Sequence, residues 1–181
     1  KEIKDKFFYV DSDPISGKRL FFDNAGGAVR LKKAVEKQSE LEAFPDCPER
    51  DHEMSHYLQR IQKQGQDDIK LIFNAKNGGS IITSLTASQV MFQIVGTIAD
   101  NVKGTNMVTT VLEHPSAFDA VDYYARKTGR ELRVALSNKD SGEVEVEEVI
   151  KFIDEDTVLL SVMHASNLSG TVFAVEEIVK K

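Results

Sequence analysis

The sequence predicts an α/β protein in three layers, a mostly parallel sheet with helices on both faces. Three observations predict it. From residue 80 onward, short apolar runs alternate with segments of helical spacing, the pattern of βαβ units. The apolar runs are continuous, as in strands covered on both faces. The length, 181 residues, suits one domain or part of a larger one.

The elements follow in order. RLFFDNAGGAV reads as a strand at Leu20 to Phe22 and a turn around Gly26 and Gly27. A helix comes next, because Leu31, Ala34, Val35, Gln38 and Leu41 keep helical spacing until Pro45 and Pro48 stop it. Residues 53 to 76 are helical again, with Leu58, Ile61, Ile69, Ile72 and Phe73 as the stripe and Asn77-Gly78-Gly79 as the stop signal. SIIT, residues 80 to 83, is a short strand. Ala87 to Asp100 is a helix with Val90, Met91, Ile94, Val95 and Ile98 on one side. Strands are expected at Met107 to Leu112, Glu131 to Ala135 and Thr157 to Met163. Helices are expected at Ser116 to Thr128, ended by Gly129, at Val146 to Ile153, and from Val175 onward.

Composition removes several functions. A net charge of -6 argues against a nucleic-acid binder, which would show a basic face. No apolar run approaches the ~18 residues of a membrane span, and no leader-like segment opens the chain. The single Cys47 excludes an internal disulfide and fits a reducing cytoplasm. It reads as an ordinary loop cysteine.

In open α/β sheets, ligands bind outside the carboxyl ends of the strands. Three expected strand ends carry unusual residues: SLTASQ after Thr83, EHPSA after Leu112 and HASNLSG after Met163. In a parallel sheet all three loops share one rim. Thr86 and Ser88 fall at a helix N-terminus, where free N–H groups and the dipole favour phosphate; either is also a plain N-cap. His114 is a base, a ligand, a stacking platform or a hydrogen-bonded loop histidine, and Glu113 either orients it or is a helix-start acid. Asn167 offers an amide to a ligand, or serves turn chemistry. No metal site is expected: His114, His164 and Glu113 lack metal spacing, and His52 and His56 lack the HExxH pattern. No glycine fingerprint or P-loop for a nucleotide is present.

Together these stretches resemble the class V aminotransferase family of fold-type I pyridoxal-phosphate enzymes, which includes cysteine desulfurases and selenocysteine lyases. FFDNAGG resembles the family's LDNAA segment, SLTASQ its SGATE segment, EHPSA its EHxA segment and HASNLSG its HxSNxxG segment. The resemblance runs from residue 21 to the final helix. It implies that Asn24, Ala25 and Gly26 help bind substrate. It implies that Thr86, Ala87 and Ser88 take the phosphate of pyridoxal 5′-phosphate, that His114 stacks on its ring, and that Asn167 meets its phenolic oxygen. Ser88 stands where the family often has Thr, and Ala117 where some members have Asn.

The resemblance further implies an amino-acid substrate and a homodimer in the full-length form. Residues 1–181 would then be an N-terminal segment plus the first part of the cofactor-binding large domain. The family's Schiff-base lysine and ring-nitrogen aspartate come later than the matched stretches, so no catalytic residue is expected in this chain and the chain alone is expected to be inactive. The alternative is a non-catalytic binding or assembly domain that keeps the fold.

Overall fold

The computed structural model describes residues 2–75 and 79–181. It divides into two compact units, Lys1–Ile81 and Ile82–Lys181.

The first unit opens with a small antiparallel hairpin, β1 (Ser12–Asp13) and β2 (Gly17–Lys18). The Asp13 carboxylate accepts from the N–H groups of Ile15 and Ser16 and so builds the turn. Two helices follow, α1 (Lys32–Glu42) and α2 (Glu53–Ile72). Tyr57 of α2 packs on Phe44, and its hydroxyl meets Lys37 of α1 at 3.1 Å. His52 caps α2 by accepting from Ser55 N–H, and His56 pairs with Asp51. Cys47 is half-buried, and its carbonyl accepts from the buried Ser55 hydroxyl.

Two expectations fail in this unit. Leu20 to Phe22 is not a strand: no neighbouring backbone pairs with it among the described residues, and Leu20 and Phe22 are exposed. An extended run without a ladder partner gains nothing from its own backbone. The α2 helix stops before residue 76. Asn74 adopts a left-handed φ of 54°, and Ala75 N–H reaches back to Lys70 O at 2.8 Å, closing the helix. The expected stop at Asn77 and Gly78 lies outside the described residues.

The second unit holds the sheet. It contains α3 (Ala87–Asn101), β3 (Asn106–Thr110), α4 (Pro115–Thr128), β4 (Glu131–Ala135), α5 (Val146–Ile150), β5 (Thr157–Leu160) and α6 (Val175–Lys180). The strand order is β4-β3-β5, all parallel, and all five residues of β3 are buried. Among the described residues β4 and β5 each pair on one side only. One face packs Met107 and Val158 against Val95 and Ala99 of α3 and Ala120, Val121 and Ala125 of α4. The other packs Ala135 against Val149 of α5, Ile178 of α6 and Phe173. The three-layer α/β/α expectation therefore holds, and the sequence predicts β4 without error at either end.

The residues expected as a strand at 80–83 are irregular, for the same reason as Leu20 to Phe22. Three elements are shorter than expected. β3 ends at Thr110, β5 at Leu160 opposite Val108, and α5 at Ile150. α4 closes as expected, with Gly129 at φ 68° and Arg130 N–H bonded to Ala125 O.

The amino ends of the strands are bound by charge. Arg130 donates to the carbonyls of Ala99, Val102 and Gly104, tying the end of α3 to the start of β4. Asp154 accepts from Asn106 at 2.9 Å and Arg133 at 2.6 Å, while Thr157 donates to Asn106.

Candidate functional site

The carboxyl rim of the sheet carries different chemistry. From β3 the chain turns to α4 on one face, and from β5 it turns to α6 on the other. The loops after β3 and β5 thus diverge at the point where connections change face, the ordinary ligand crevice of such sheets. His114 lies in the first loop, and His164 to Gly170 form the second.

α3 brings a third group to this rim. Its last turn is tied to Arg130 at the amino ends of the strands. A helix of 15 residues spans about 22 Å, longer than a five-residue strand of about 17 Å, so the α3 N-terminus stands at the carboxyl side. α4 starts at that same side and runs parallel to α3. The two meet at Gly96, nine residues past Ala87, and Tyr124, nine past Pro115. Their first turns are therefore level, on axes roughly 8–10 Å apart.

Thr86 is the N-cap of α3. Its hydroxyl oxygen accepts from Gln89 N–H at 3.2 Å, which leaves the hydroxyl proton free to be donated. Val90 N–H is taken by Thr86 O. The amides of Ala87 and Ser88 have no partner among the described residues, and Ser88 is exposed. This donor set fits a phosphate dianion.

His114 is the N-cap of α4. Its Nδ1 accepts from Ser116 N–H at 3.1 Å and lies 2.8 Å from Ser116 Oγ. Accepting from an amide requires Nδ1 to be unprotonated, so the neutral ring carries its proton on Nε2. The ring is exposed and held by one edge, which leaves its face available.

Asn167 sits in a loop closed by short-range bonds. Ser166 is buried, and its hydroxyl accepts from Leu168 and Ser169 N–H. Gly170, at φ 75°, donates to Ser166 O, and Phe173 donates to His164 O. The Asn167 side chain is exposed with no partner among the described residues, so turn formation is left to Ser166.

Glu113 neither orients the imidazole nor caps α4. Its carboxylate turns back to accept from Thr110 Oγ1 at 3.2 Å and from Met163 N–H at 2.6 Å. Burial raises its pKa above the ordinary glutamate value, against the lowering effect of those two bonds. Nothing in the local sequence pattern marks this link, because its partner is 50 residues away.

The first unit carries the other candidate residues. Asn24 and Ala25 are exposed in a turn organised by Asp23, whose carbonyl accepts from Gly26 and Gly27 and whose carboxylate also accepts from Gly26 N–H. A Cβ on Gly26 would come within 2.6 Å of that carboxylate. Asp23 is a residue the sequence reading missed, although D-x-x-G is a turn signal. A cleft of about 510 Å³ continues from Gly27, lined by Phe8, Phe21, Val29 and Arg30. No cluster of metal-ligating side chains occurs among the described residues, and no helix there is long and apolar enough to cross a membrane.

Comparison with known proteins gives consistent matches. The family profile described as aminotransferase class-V matches residues 20–181. A probable cysteine desulfurase of Halalkalibacterium halodurans is 27% identical, covering 98% of this chain and 44% of its own length. The cysteine desulfurase NifS of Azotobacter vinelandii is 23% identical over 71% of this chain and 32% of its own. Among solved structures, a NifS-like protein superposes with a TM-score of 0.77 at 24% identity, covering 90% of this chain and 44% of that one. The apo cysteine desulfurase of Thermococcus onnurineus gives 0.75 at 23% identity, covering 88% and 40%. The chain spans less than half the length of these relatives.

Proposed function

The chain belongs to the aminotransferase class-V family, and we propose that its carboxyl rim is the cofactor platform of a cysteine desulfurase-like enzyme acting on an amino acid. Class-V aminotransferases and cysteine desulfurases depend on pyridoxal 5′-phosphate. When bound, that group supplies an electron sink for chemistry at an amino acid's α-carbon.

The observation that carries this reading is the rim itself. Two loops diverge from adjacent parallel strands, and a helix N-terminus with unpaired amides stands on the same side. In this proposal Ala87 and Ser88 N–H, with the Thr86 and Ser88 hydroxyls, hold the phosphate. His114 covers one face of the pyridine ring, its edge fixed by Ser116. The Asn167 amide donates to the phenolic oxygen and so disperses negative charge there. Asn24, Ala25 and Gly26 serve the substrate. The reaction is of the lyase or transferase kind, in a cytoplasmic homodimer of the full-length protein.

The test is amide NMR of the 181-residue chain titrated with pyridoxal 5′-phosphate at millimolar concentration. Shifts are expected to cluster at Thr86 to Ser88, His114 and Asn167, and the unphosphorylated pyridoxal should lose the Thr86 to Ser88 set. H114A and N167A should each weaken binding roughly tenfold, as the loss of one contact of about 1.4 kcal/mol does. Shifts scattered elsewhere, or none, would overturn the assignment.

A further inference from the structure

We infer that Glu113 is a positioning residue, which sets the spacing between the His114 loop and the Asn167 loop by acting as a side-chain rung of the sheet. The inference rests on the cofactor reading only for what the two loops hold.

The backbone ladder shows why a rung is needed. On the β4 side, pairing continues to Val111 N–H and Ala135 O at 2.9 Å. On the β5 side, the last backbone rung is Ser161 N–H to Val108 O at 2.9 Å. Beyond it β3 bends into the loop before α4, and Met163 N–H faces no carbonyl of β3. The Glu113 carboxylate takes the missing carbonyl's place at 2.6 Å. Thr110 Oγ1, itself on buried β3, donates to the same oxygen and fixes the carboxylate from the strand side. A short bond in a partly buried place is stiffer than an exposed one, and it needs only an acceptor oxygen at the right reach.

What the rung joins is specific. His114 is the next residue after Glu113, and its imidazole caps α4. Asn167 is four residues after Met163, in a loop pinned at its base by Phe173 N–H to His164 O. A flat ligand bound by both loops needs their separation fixed, and this single bond fixes it at the base of both.

Two variants separate reach from charge. E113Q keeps the length and an acceptor oxygen and removes the charge. E113D keeps the charge and shortens the reach by one methylene. Both are made in the 181-residue chain and compared by amide exchange, by the side-chain signal of Asn167 and by titration with pyridoxamine 5′-phosphate. In E113D, Met163 N–H is expected to exchange at least about tenfold faster and the Asn167 side-chain amide to shift, while E113Q stays within roughly threefold of the parent. Affinity for the probe should fall roughly tenfold in E113D and be kept in E113Q. Equal behaviour of parent and E113D in Met163 exchange and Asn167 position would overturn the inference. So would E113Q failing where E113D succeeds, which would make charge the operative property. If the parent does not bind the probe, the cofactor reading fails, and the exchange and Asn167 measurements still decide the role of Glu113.

Discussion

Asp154 and Glu113 are two carboxylates at opposite ends of one sheet, and their surroundings push them in opposite directions. Hydrogen bonds from Arg133 and Asn106 lower Asp154 from 3.8 to about 2. Its ionised form is favoured by folding, so its contribution is present above the unfolded value and is lost as pH falls towards 2. D154N should therefore flatten the loss of stability between about pH 4 and pH 2, read from acid titrations of the parent and variant by circular dichroism. Glu113 is raised by burial, so folding disfavours its charged form and stability falls as pH rises through its titration. E113Q should consequently be no less stable than the parent at neutral pH, checked by thermal melting. Neither role is legible in the sequence, because the partners lie 21 and 50 residues away. The caps at Thr86 and Gly129 were legible because their bonds close within one turn.

Among elements, the pair α3 and α4 matters most, since it sets the level of the two N-termini that carry the candidate residues Thr86 and His114. Gly96 allows the close approach: a Cβ there would fall 2.5 Å from Tyr124 Oη and 2.6 Å from Cζ. Tyr124 has little room to yield, because its ring packs against Phe92 and edge-on to Tyr123. G96V should cost about 2 kcal/mol through overpacking, measured as a lower melting midpoint, and should blunt the joint response of Thr86 and His114 to phosphate-bearing ligands. An unchanged midpoint would mean that the tyrosine gives way freely. Helices were well marked in the sequence, because an amphipathic stripe is a property of one segment. The expected strands at Leu20 to Phe22 and at 80–83 failed because a strand is a property of a pair, and pairing leaves no local trace. β4, whose five residues run in register with all of β3, was found with its ends correct.

For the molecule as a whole, the sheet has a structural end and a chemical end. The amino end spends its charged groups on Arg130 and the Asp154 network, and the carboxyl end leaves His114, Asn167 and the α3 amides open. The alternation of runs and helices announced this layering, and the parallel order told which residues would share a rim. The separation into two units was not visible, since Asn77-Gly78-Gly79 before the boundary at residue 81 reads equally as a helix stop. The outer strands carry one more consequence. β4 and β5 each present a line of backbone donors and acceptors with no neighbour among the described residues, and the TVLL of β5 is uncharged along its length. Such a line is a template for another chain. Light scattering on the purified 181-residue chain should show particle mass climbing with concentration, and a mass that stays constant would show that these edges do not pair. The colloidal behaviour of this chain in a tube is therefore written into the same parallel order that builds its candidate rim.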